Sequence, residues 1–537
     1  MTGNTQDIWF WLWIDIASAA AIAVGQWLMT NGRRYLYFSM VHWASNSFQR
    51  ALCYLDIPDF FDTDTRDKLN KTQDGYNWQV SNFATATLDL LYAIIRFVAT
   101  AAVVSQITWW IIPLLALFLI PNMIAEARSA KLQWFVWERA GDTRHIFWGL
   151  QSVMRSAKNQ MELRSSQARD YVLAKTDHMN THFYSQQERE LRRFNRYTLP
   201  ASLLEVGGTA IGSIYLLIQL LNRTIGLDRY LFLSGALLRI GSSLQNIFGT
   251  LSRMQQSLLF MEDFFAVLER KPQIVDKPDA VVLRTKKVPE IVFDKVSFTY
   301  PGREMPVFTG LSFTIHSGER LAIVGENGAG KSTLIKLLLR FYRPTGGRIL
   351  IDGIDLQDIA IESWYAQLAT LFQEFNQYPF PISENIEVAK PEFKGDQKRL
   401  EHAAHLSNVD TIVKGYKHGW ETVLDNSFTK GIEPSGGQWQ RVALVRAFYR
   451  QSNVLILDEP TAAIDAKAEY DIFNNIFKEY EGKTAIIVSH RFSTVRKADR
   501  ILVFEHGKVI EDGTHASLMA LGGQYADMFN KQAEGYR

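Results

Sequence analysis

Residues Gly325 to Thr333 read "GENGAGKST" and match G-x-x-x-x-G-K-[ST]. An apolar run, "RLAIVG", leads into this stretch, and "STLIKLLLRFY" continues from its end. The order predicts a buried strand, a glycine-rich turn and a helix, which is the context the motif requires. Glycines let the backbone of Gly325, Glu326, Asn327, Gly328, Ala329 and Gly330 wrap a phosphate chain with N–H groups turned inward. The helix N-terminus adds partial positive charge. Lys331 can reach the outer phosphates, and Ser332, beside Thr333, offers a hydroxyl to Mg²⁺. A glycine turn before a helix also arises by chance, but the flanking strand and helix argue against chance here.

Outward from this stretch the texture is that of an α/β domain. Short apolar runs such as "RILIDG", "NVLILD" and "TAIIVS" alternate with helical stretches, the pattern of strands buried on both faces. "NVLILDEP", Asn453 to Pro460, is a hydrophobic strand ending in two carboxylates. Two acids at a strand end are ordinarily a solvated loop start. Paired with a phosphate loop they read as a site, with Asp458 holding Mg²⁺ and Glu459 polarising an attacking water.

The first half is different. With 537 residues the chain is too long for one core. Its formal net charge of +2 gives no basic excess pointing to nucleic acid. The single cysteine, Cys53, excludes an intrachain disulfide and fits a reducing compartment. Most tryptophans lie in the first half, where five apolar segments (about 8–29, 84–105, 107–125, 201–221 and 229–250) are near the length a bilayer requires. The second and third run almost without interruption, predicting a tight hairpin near Ser105-Gln106 with Trp109 and Trp110 at the interface. The connections near 30–83 and 126–200 are rich in Lys and Arg and the other two are not, so both long connections are expected to face the cytoplasm. Ionisable residues in or near the spans are Asp15, Asp89, Arg96, Glu205 and Arg239, with Arg96 and Arg239 the candidates for substrate contact. Gly207, Gly208 and Gly212 are expected to mark close helix packing. A polar, Pro-containing stretch at 271–289 reads as a linker between a helical domain, 1–270, and the α/β domain, 290–537.

"EPSGGQWQRVALVRA" places Ser435, Gly436 and Gly437 just before a helix, a second anion-binding helix start. With this stretch beside the others, the second half resembles the nucleotide-binding domain of ATP-binding cassette (ABC) transporters over nearly all of 290–537. "PSGGQ" is similar to that family's signature, usually LSGGQ, with Pro434 in place of Leu. Proline is tolerated near a helix start, so altered tuning is expected, not loss. The resemblance implies that Tyr300 stacks on adenine and that Gln373 contacts Mg²⁺ and the attacking water. It implies that Asp465 communicates with a partner subunit and that His490 contacts the γ-phosphate. It also implies ATP and Mg²⁺ as ligands, with Ser332, Gln373 and Asp458 around the metal. In this family Ser435, Gly436, Gly437 and Gln438 serve the ATP of a partner, which implies a homodimer or a heterodimer with a second half-transporter.

ATP is cytoplasmic, and counting spans backward from the α/β domain puts Met1 outside, in agreement with the charge distribution. The first half resembles the six-helix membrane domain of the family's exporters. "PDFFDTDTRDKLNK" and "SAKNQMELRSSQARDYV" are similar to its two coupling segments, and "SLLFMEDFFAVLE" to the end of its sixth helix. The five spans then correspond to helices two to six, and the first helix has no counterpart. A segment is therefore expected in front of Met1, missing through truncation or a misplaced start, with a true five-span variant the alternative. The expected fold is an all-α transmembrane domain followed by an α/β P-loop NTPase domain. The expected function is an ATP-hydrolysing exporter half-transporter in the plasma membrane, its nucleotide-binding domain cytoplasmic, with a lipid, peptide or amphipathic drug-like substrate. A nucleotide-gated regulator or channel is the alternative of the same fold. A soluble cassette ATPase conflicts with the apolar spans, and importers usually carry the two parts on separate chains.

Overall fold

The computed structural model describes residues 5–138, 141–283, 287–460, 464 and 466–534. It divides into two compact units, one taking the chain to Leu55 together with Asp59–Lys271, the other Asp56–Pro58 together with the chain from Pro272 onward.

The first unit is helical: α1 (Thr5–Tyr54), α2 (Thr63–Gly75), α3 (Gln79–Thr108), α4 (Ile111–Glu138), α5 (Gly141–Arg155), α6 (Ala157–Ser165), α7 (Arg169–Leu221) and α8 (Leu227–Leu268). At 50 and 53 residues, α1 and α7 are about 75–80 Å long, more than twice a ~30 Å hydrocarbon core. The apolar spans are therefore parts of longer helices whose polar continuations form the long connections. Among the described residues, α1, α3 and α7 hold stretches long and apolar enough to cross a membrane, and α4 holds the shorter apolar stretch Ile111–Ile124. In α8 Leu233, Leu237, Ile240 and Leu244 are buried while Leu231, Phe232 and Leu238 are exposed, and Arg239, Gln245 and Asn246 interrupt the apolar run.

Three expectations are refined. The hairpin turns at Trp109-Trp110, not at Ser105-Gln106, because the Ser105 hydroxyl bonds back to the Ala102 carbonyl (3.0 Å) inside a continuing helix. Trp110 then packs edge-on against Tyr215 at 5.0 Å. Gly208 and Gly212 do mark close packing: an added Cβ would lie 2.9 Å from Phe118 and 2.9 Å from Leu237 respectively, whereas Gly207 faces open space. Asp89 has its ionic partner on α1, in Arg33, and Glu205 accepts from Asn122 Nδ2 on α4 (3.2 Å) and from the amide of Gln245 on α8.

The second unit carries two sheets. Strands β1 (Ile291–Phe298), β2 (Phe308–Ile315), β4 (Gly346–Ile351) and β5 (Ile354–Asp355) form an antiparallel sheet in the order β2-β1-β4-β5. Strands β3 (Arg320–Gly325), β6 (Leu368–Leu371), β7 (Val454–Asp458), β8 (Thr484–Val488), β9 (Arg500–Glu505) and β10 (Lys508–Gly513) form the other, ordered β10-β9-β3-β8-β7-β6. All neighbours in this second sheet are parallel except β10 with β9. Every residue of β7 and β8 is buried, as their unbroken apolar runs require. Because β3, β8, β7 and β6 run parallel side by side, their C-terminal ends share one edge, the edge at which parallel sheets bind ligands.

The stretch read as a linker is held down along much of its length. Arg340, 1% exposed, donates to the Val275 carbonyl (3.1 Å), the Asp276 carboxylate (2.9 Å) and the Ile359 carbonyl (2.6 Å). Val281 then forms a bridge to Ile359, with its N–H on the Asp358 carbonyl at 2.7 Å. A buried guanidinium fixes a segment that has no periodicity of its own. Arg340→Met should therefore destabilise the second unit by about 2–4 kcal/mol, because Asp276 and two carbonyls lose their donors. Denaturant unfolding of the detergent-solubilised chain, followed by tryptophan fluorescence, measures the loss.

Candidate functional site

The loop between β3 and the helix Lys331–Leu338 has the geometry its glycines suggest. A Cβ on Gly325 would fall 2.2 Å from the Phe504 carbonyl oxygen, so the loop leaves β3 pressed against β9. Gly330, at φ +100°, caps the helix, and a Cβ there would meet the Phe308 ring at 2.7 Å. Lys331 is buried and folds back over the loop, its ammonium donating to the carbonyls of Gly325 (2.7 Å) and Glu326 (2.9 Å). Burial pulls this ammonium below its ordinary pKa, while Glu459 and Asp458 oppose the shift. A desolvated cation beside helix-end N–H groups is a strong attractor for an anion.

Asp458 and Glu459 are adjacent in sequence but differ in setting. Asp458, the last residue of β7, is buried; burial raises its carboxyl pKa, and a hydrogen bond from the Ser332 side chain opposes that. Glu459 has φ +50°, in the left-handed region, and its N–H bonds to the Val488 carbonyl at 2.9 Å. The turn sends its carboxylate toward the ends of the neighbouring strands. Gln373 Nε2, just past β6, donates to Glu459 Oε2 at 3.0 Å, and His490 Nε2, just past β8, lies 3.2 Å from Glu459 Oε1. Burial and the nearby Lys331 hold the His490 imidazole below its ordinary pKa, and the Glu459 carboxylate pulls it up. Lys331, Ser332, Asp458, Glu459, Gln373 and His490 thus meet where four parallel strands end.

Tyr300 stands beside this loop with its hydroxyl 3.0 Å from the Thr333 hydroxyl, its ring edge-on to Phe298 and Tyr342. Ser435 is the N-cap of the helix Gly436–Arg450 in a full capping box with Gln438: Gln438 N–H donates to Ser435 Oγ (3.3 Å), and Ser435 N–H donates to Gln438 Oε1 (2.9 Å). Ser435 and Gly436 are exposed while Pro434 is buried, so the helix start faces outward and the proline sits behind it. Asp465 lies outside the described residues.

Among the described residues no group of three or more His, Cys, Asp and Glu forms a metal cage. The oxygens of Ser332 and Asp458 are hard donors that suit Mg²⁺, which takes one or two protein ligands plus substrate phosphates. A cavity of about 390 Å³ opens beyond β6, lined by residues including Phe372, Glu374, Asn376, Tyr378, Arg446 and Arg450.

The sequence reading did not single out Gln440. Its side chain is buried and donates to the Glu459 carbonyl at 3.2 Å, tying the helix Gly436–Arg450 to the left-handed turn. The available signal was a Gln two residues past Gln438, on a face otherwise apolar.

Residues 308–462 match the family model described as ABC transporter. The subtilin transport ATP-binding protein SpaT of Bacillus subtilis is 27% identical over 486 residues, 90% of this chain and 78% of that protein. The ATP-dependent lipid A-core flippase of Chromohalobacter salexigens is 36% identical over 281 residues, 52% of this chain and 47% of the flippase. The multidrug resistance protein pgp-1 of Caenorhabditis elegans is 36% identical over 270 residues, 50% of this chain and 20% of that protein. Among solved structures, a bacterial Atm1-family ABC exporter with ATP bound superposes with a TM-score of 0.81 at 24% identity, covering 99% of this chain and 92% of that one.

Ser435→Ala removes the cap and should lower stability by about 1 kcal/mol, with Ser435→Asn restoring most of it. Thermal unfolding of the three proteins compares them.

Proposed function

We propose that this chain is an exporter half-transporter of the ABC transporter family that works as a dimer. On this reading it couples ATP binding and hydrolysis to alternating access and moves a lipid, peptide or amphipathic drug-like substrate across a cell membrane. The observation that carries the reading is the convergence of Gln373 and His490 on Glu459, one residue from the buried Asp458. A relative's name as lipid A-core flippase, another's as subtilin transporter and a third's as multidrug resistance protein support the breadth of the substrate class. The apolar helices α1, α3 and α7 support a multi-pass chain; on this reading the membrane is the plasma membrane and the second unit is cytoplasmic.

Each role follows from placement. The loop Gly325–Gly330 and Lys331 bind the phosphates of ATP, and Lys331 exchanges its two carbonyl contacts for phosphate oxygens. Tyr300, at the lip of the loop, offers a ring to the adenine. Ser332 and Asp458, with Gln373, would hold Mg²⁺, which when bound neutralises charge developing on the phosphates. Glu459 orients the water for in-line attack and accepts its proton, and Gln373 and His490 hold that carboxylate on both oxygens. Burial and Lys331 favour the neutral imidazole of His490, whose single N–H turns from Glu459 toward the γ-phosphate when ATP binds. The exposed start of the helix Gly436–Arg450 supplies N–H groups for the ATP of a second subunit. That second subunit is another copy of this chain or a related half-transporter, and Asp465 takes part in the same contact. Closure of two such units around ATP drives the membrane helices from inward- to outward-facing through the long cytoplasmic connections, and hydrolysis releases them.

Glu459→Gln keeps the shape of the side chain and loses the base. Steady-state hydrolysis should fall by at least about a hundredfold while ATP still binds and an ATP-bound dimer accumulates. Phosphate release and size-exclusion chromatography with ATP measure both, and rapid turnover in this variant would remove Glu459 from the role given to it. Uptake of a fluorescent lipid or labelled peptide into inverted vesicles should require ATP and an intact Glu459. Ion flux without such uptake would favour a channel of the same fold.

A further inference from the structure

The parallel ladder ends before it reaches His490. The last pairings of β8 are Val488 with Asp458 on one side and Val488 with Ile323 on the other. Beyond Val488, the Ser489 N–H still reaches the Ile323 carbonyl at 3.4 Å and the Arg491 N–H bonds to the Ser489 hydroxyl at 2.9 Å. The His490 carbonyl and the Phe492 N–H are held instead by a side chain from a helix farther along the chain. Gln532 Nε2 donates to the His490 carbonyl at 3.1 Å, and Gln532 Oε1 accepts from the Phe492 N–H at 3.0 Å. One amide group therefore spans residues 490 to 492 as a neighbouring strand would. Its orientation is forced: a carbonyl only accepts and a backbone N–H only donates, so the amide must turn its NH₂ to His490 and its oxygen to Phe492.

The helix that presents Gln532, Gln524–Glu534, is itself fixed to the sheet. The Glu511 carboxylate of β10 accepts from the N–H groups of Gln524 and Tyr525, closing the helix start. Tyr525 is fully buried, with its hydroxyl 2.8 Å from His515 Nδ1. Its ring and that of Phe529 pack edge-on against Phe492 at 5.3 and 5.4 Å. Tyr525 and Phe492 share a buried cluster with Ala322 and Val324 of β3, the strand that leads to the phosphate loop. From the other side, Arg491 bonds to the Ile464 carbonyl (3.1 Å) and to buried Glu469, which also accepts from Thr494 Oγ1 at 2.8 Å. The residue between His490 and Phe492 is thus anchored in one direction and the flanking backbone in the other.

We infer that Gln532 is a positioning residue for hydrolysis: it sets the backbone of residues 490–492, and with it the reach of His490 toward Glu459 and the γ-phosphate. The inference rests on the reading of His490 as the γ-phosphate contact. It makes the last helix of the chain part of the catalytic geometry without touching substrate. Loss of the clamp leaves the phosphate loop intact, so nucleotide binding stays and turnover falls.

The test uses the full chain in detergent or lipid, with Gln532→Met, which keeps the volume and loses both bonds, and Gln532→Glu, which sets a carboxylate against the His490 carbonyl. Both should bind a fluorescent ATP analogue within about twofold of the parent, keep KM for ATP, and lower kcat about tenfold. Introduced into His490→Ala, measured by single-turnover hydrolysis, they should cost nothing further, because the side chain they position is gone. Parental kcat in both folded variants, or the same loss of rate on the His490→Ala background, overturns the inference. A His490→Ala chain that hydrolyses ATP at the parental rate would instead overturn the role of His490, whatever Gln532 does.

Discussion

The site turns on one backbone conformation. Glu459 follows a buried strand, yet it sits at φ +50°, a conformation that costs a non-glycine residue on the order of 1–2 kcal/mol. Two bonds hold it there, its N–H on the Val488 carbonyl and its own carbonyl under the Gln440 amide. Had the chain continued as a strand, Asp458 and Glu459 would point to opposite faces of the sheet. The left-handed turn instead leaves Asp458 buried against Ser332 and swings Glu459 across the strand ends to Gln373 and His490. On the proposed reading the adjacent acids thereby take separate tasks, Asp458 toward the metal and Glu459 toward the attacking water.

The same turn links the parts that respond to nucleotide. Gln440 lies on the helix whose capped start, Ser435-Gly436, faces solvent. Gln373 lies in sequence between Phe372 and Glu374, both of which line the cavity beyond β6. His490 is carried by backbone clamped between Gln532 and the Arg491–Glu469 pair. Gln440 bonds to the Glu459 carbonyl, and Gln373 and His490 to its carboxylate, so on the proposed reading a change in phosphate state has short routes to the helix start and to the segment that carries His490. Because the parallel sheet fixes its strand ends rigidly, these routes run through the loops beyond them.

The parts legible in the sequence were those written locally. The phosphate loop is a run of nine residues between a strand and a helix, and the buried strands announce themselves as unbroken apolar runs. Gln373 and His490 carry no local signal, since a lone polar residue past a strand is ordinary, and only the family resemblance pointed to them. Gln440 and Gln532 stayed hidden because their partners lie 19 and 42 residues away along the chain, across pairings that only the folded sheet creates. The stretch at 271–289 read as a linker because its polar residues show no period, yet Arg340 fixes part of it from 64 residues away. The hairpin between α3 and α4 was misplaced by a few residues because Ser105 satisfies its hydroxyl inside the helix. Of three neighbouring glycines only Gly208 and Gly212 meet a partner helix, a distinction that spacing alone does not make.

On the proposed reading the site is completed by a second chain, a demand that no single chain can meet: Lys331 binds phosphate, and Ser435 closes over the phosphate of the partner. The direct measurement is ATP hydrolysis by an equimolar mixture of two variants, Lys331→Ala and Ser435→Asp, each inactive alone, co-reconstituted from separately purified chains. Sharing of sites predicts that hydrolysis returns in the mixture, because a mixed dimer holds one intact site built from the Lys331 of one chain and the Ser435 of the other. A mixture as inactive as its components, with the parental chain active under the same conditions, would contradict it.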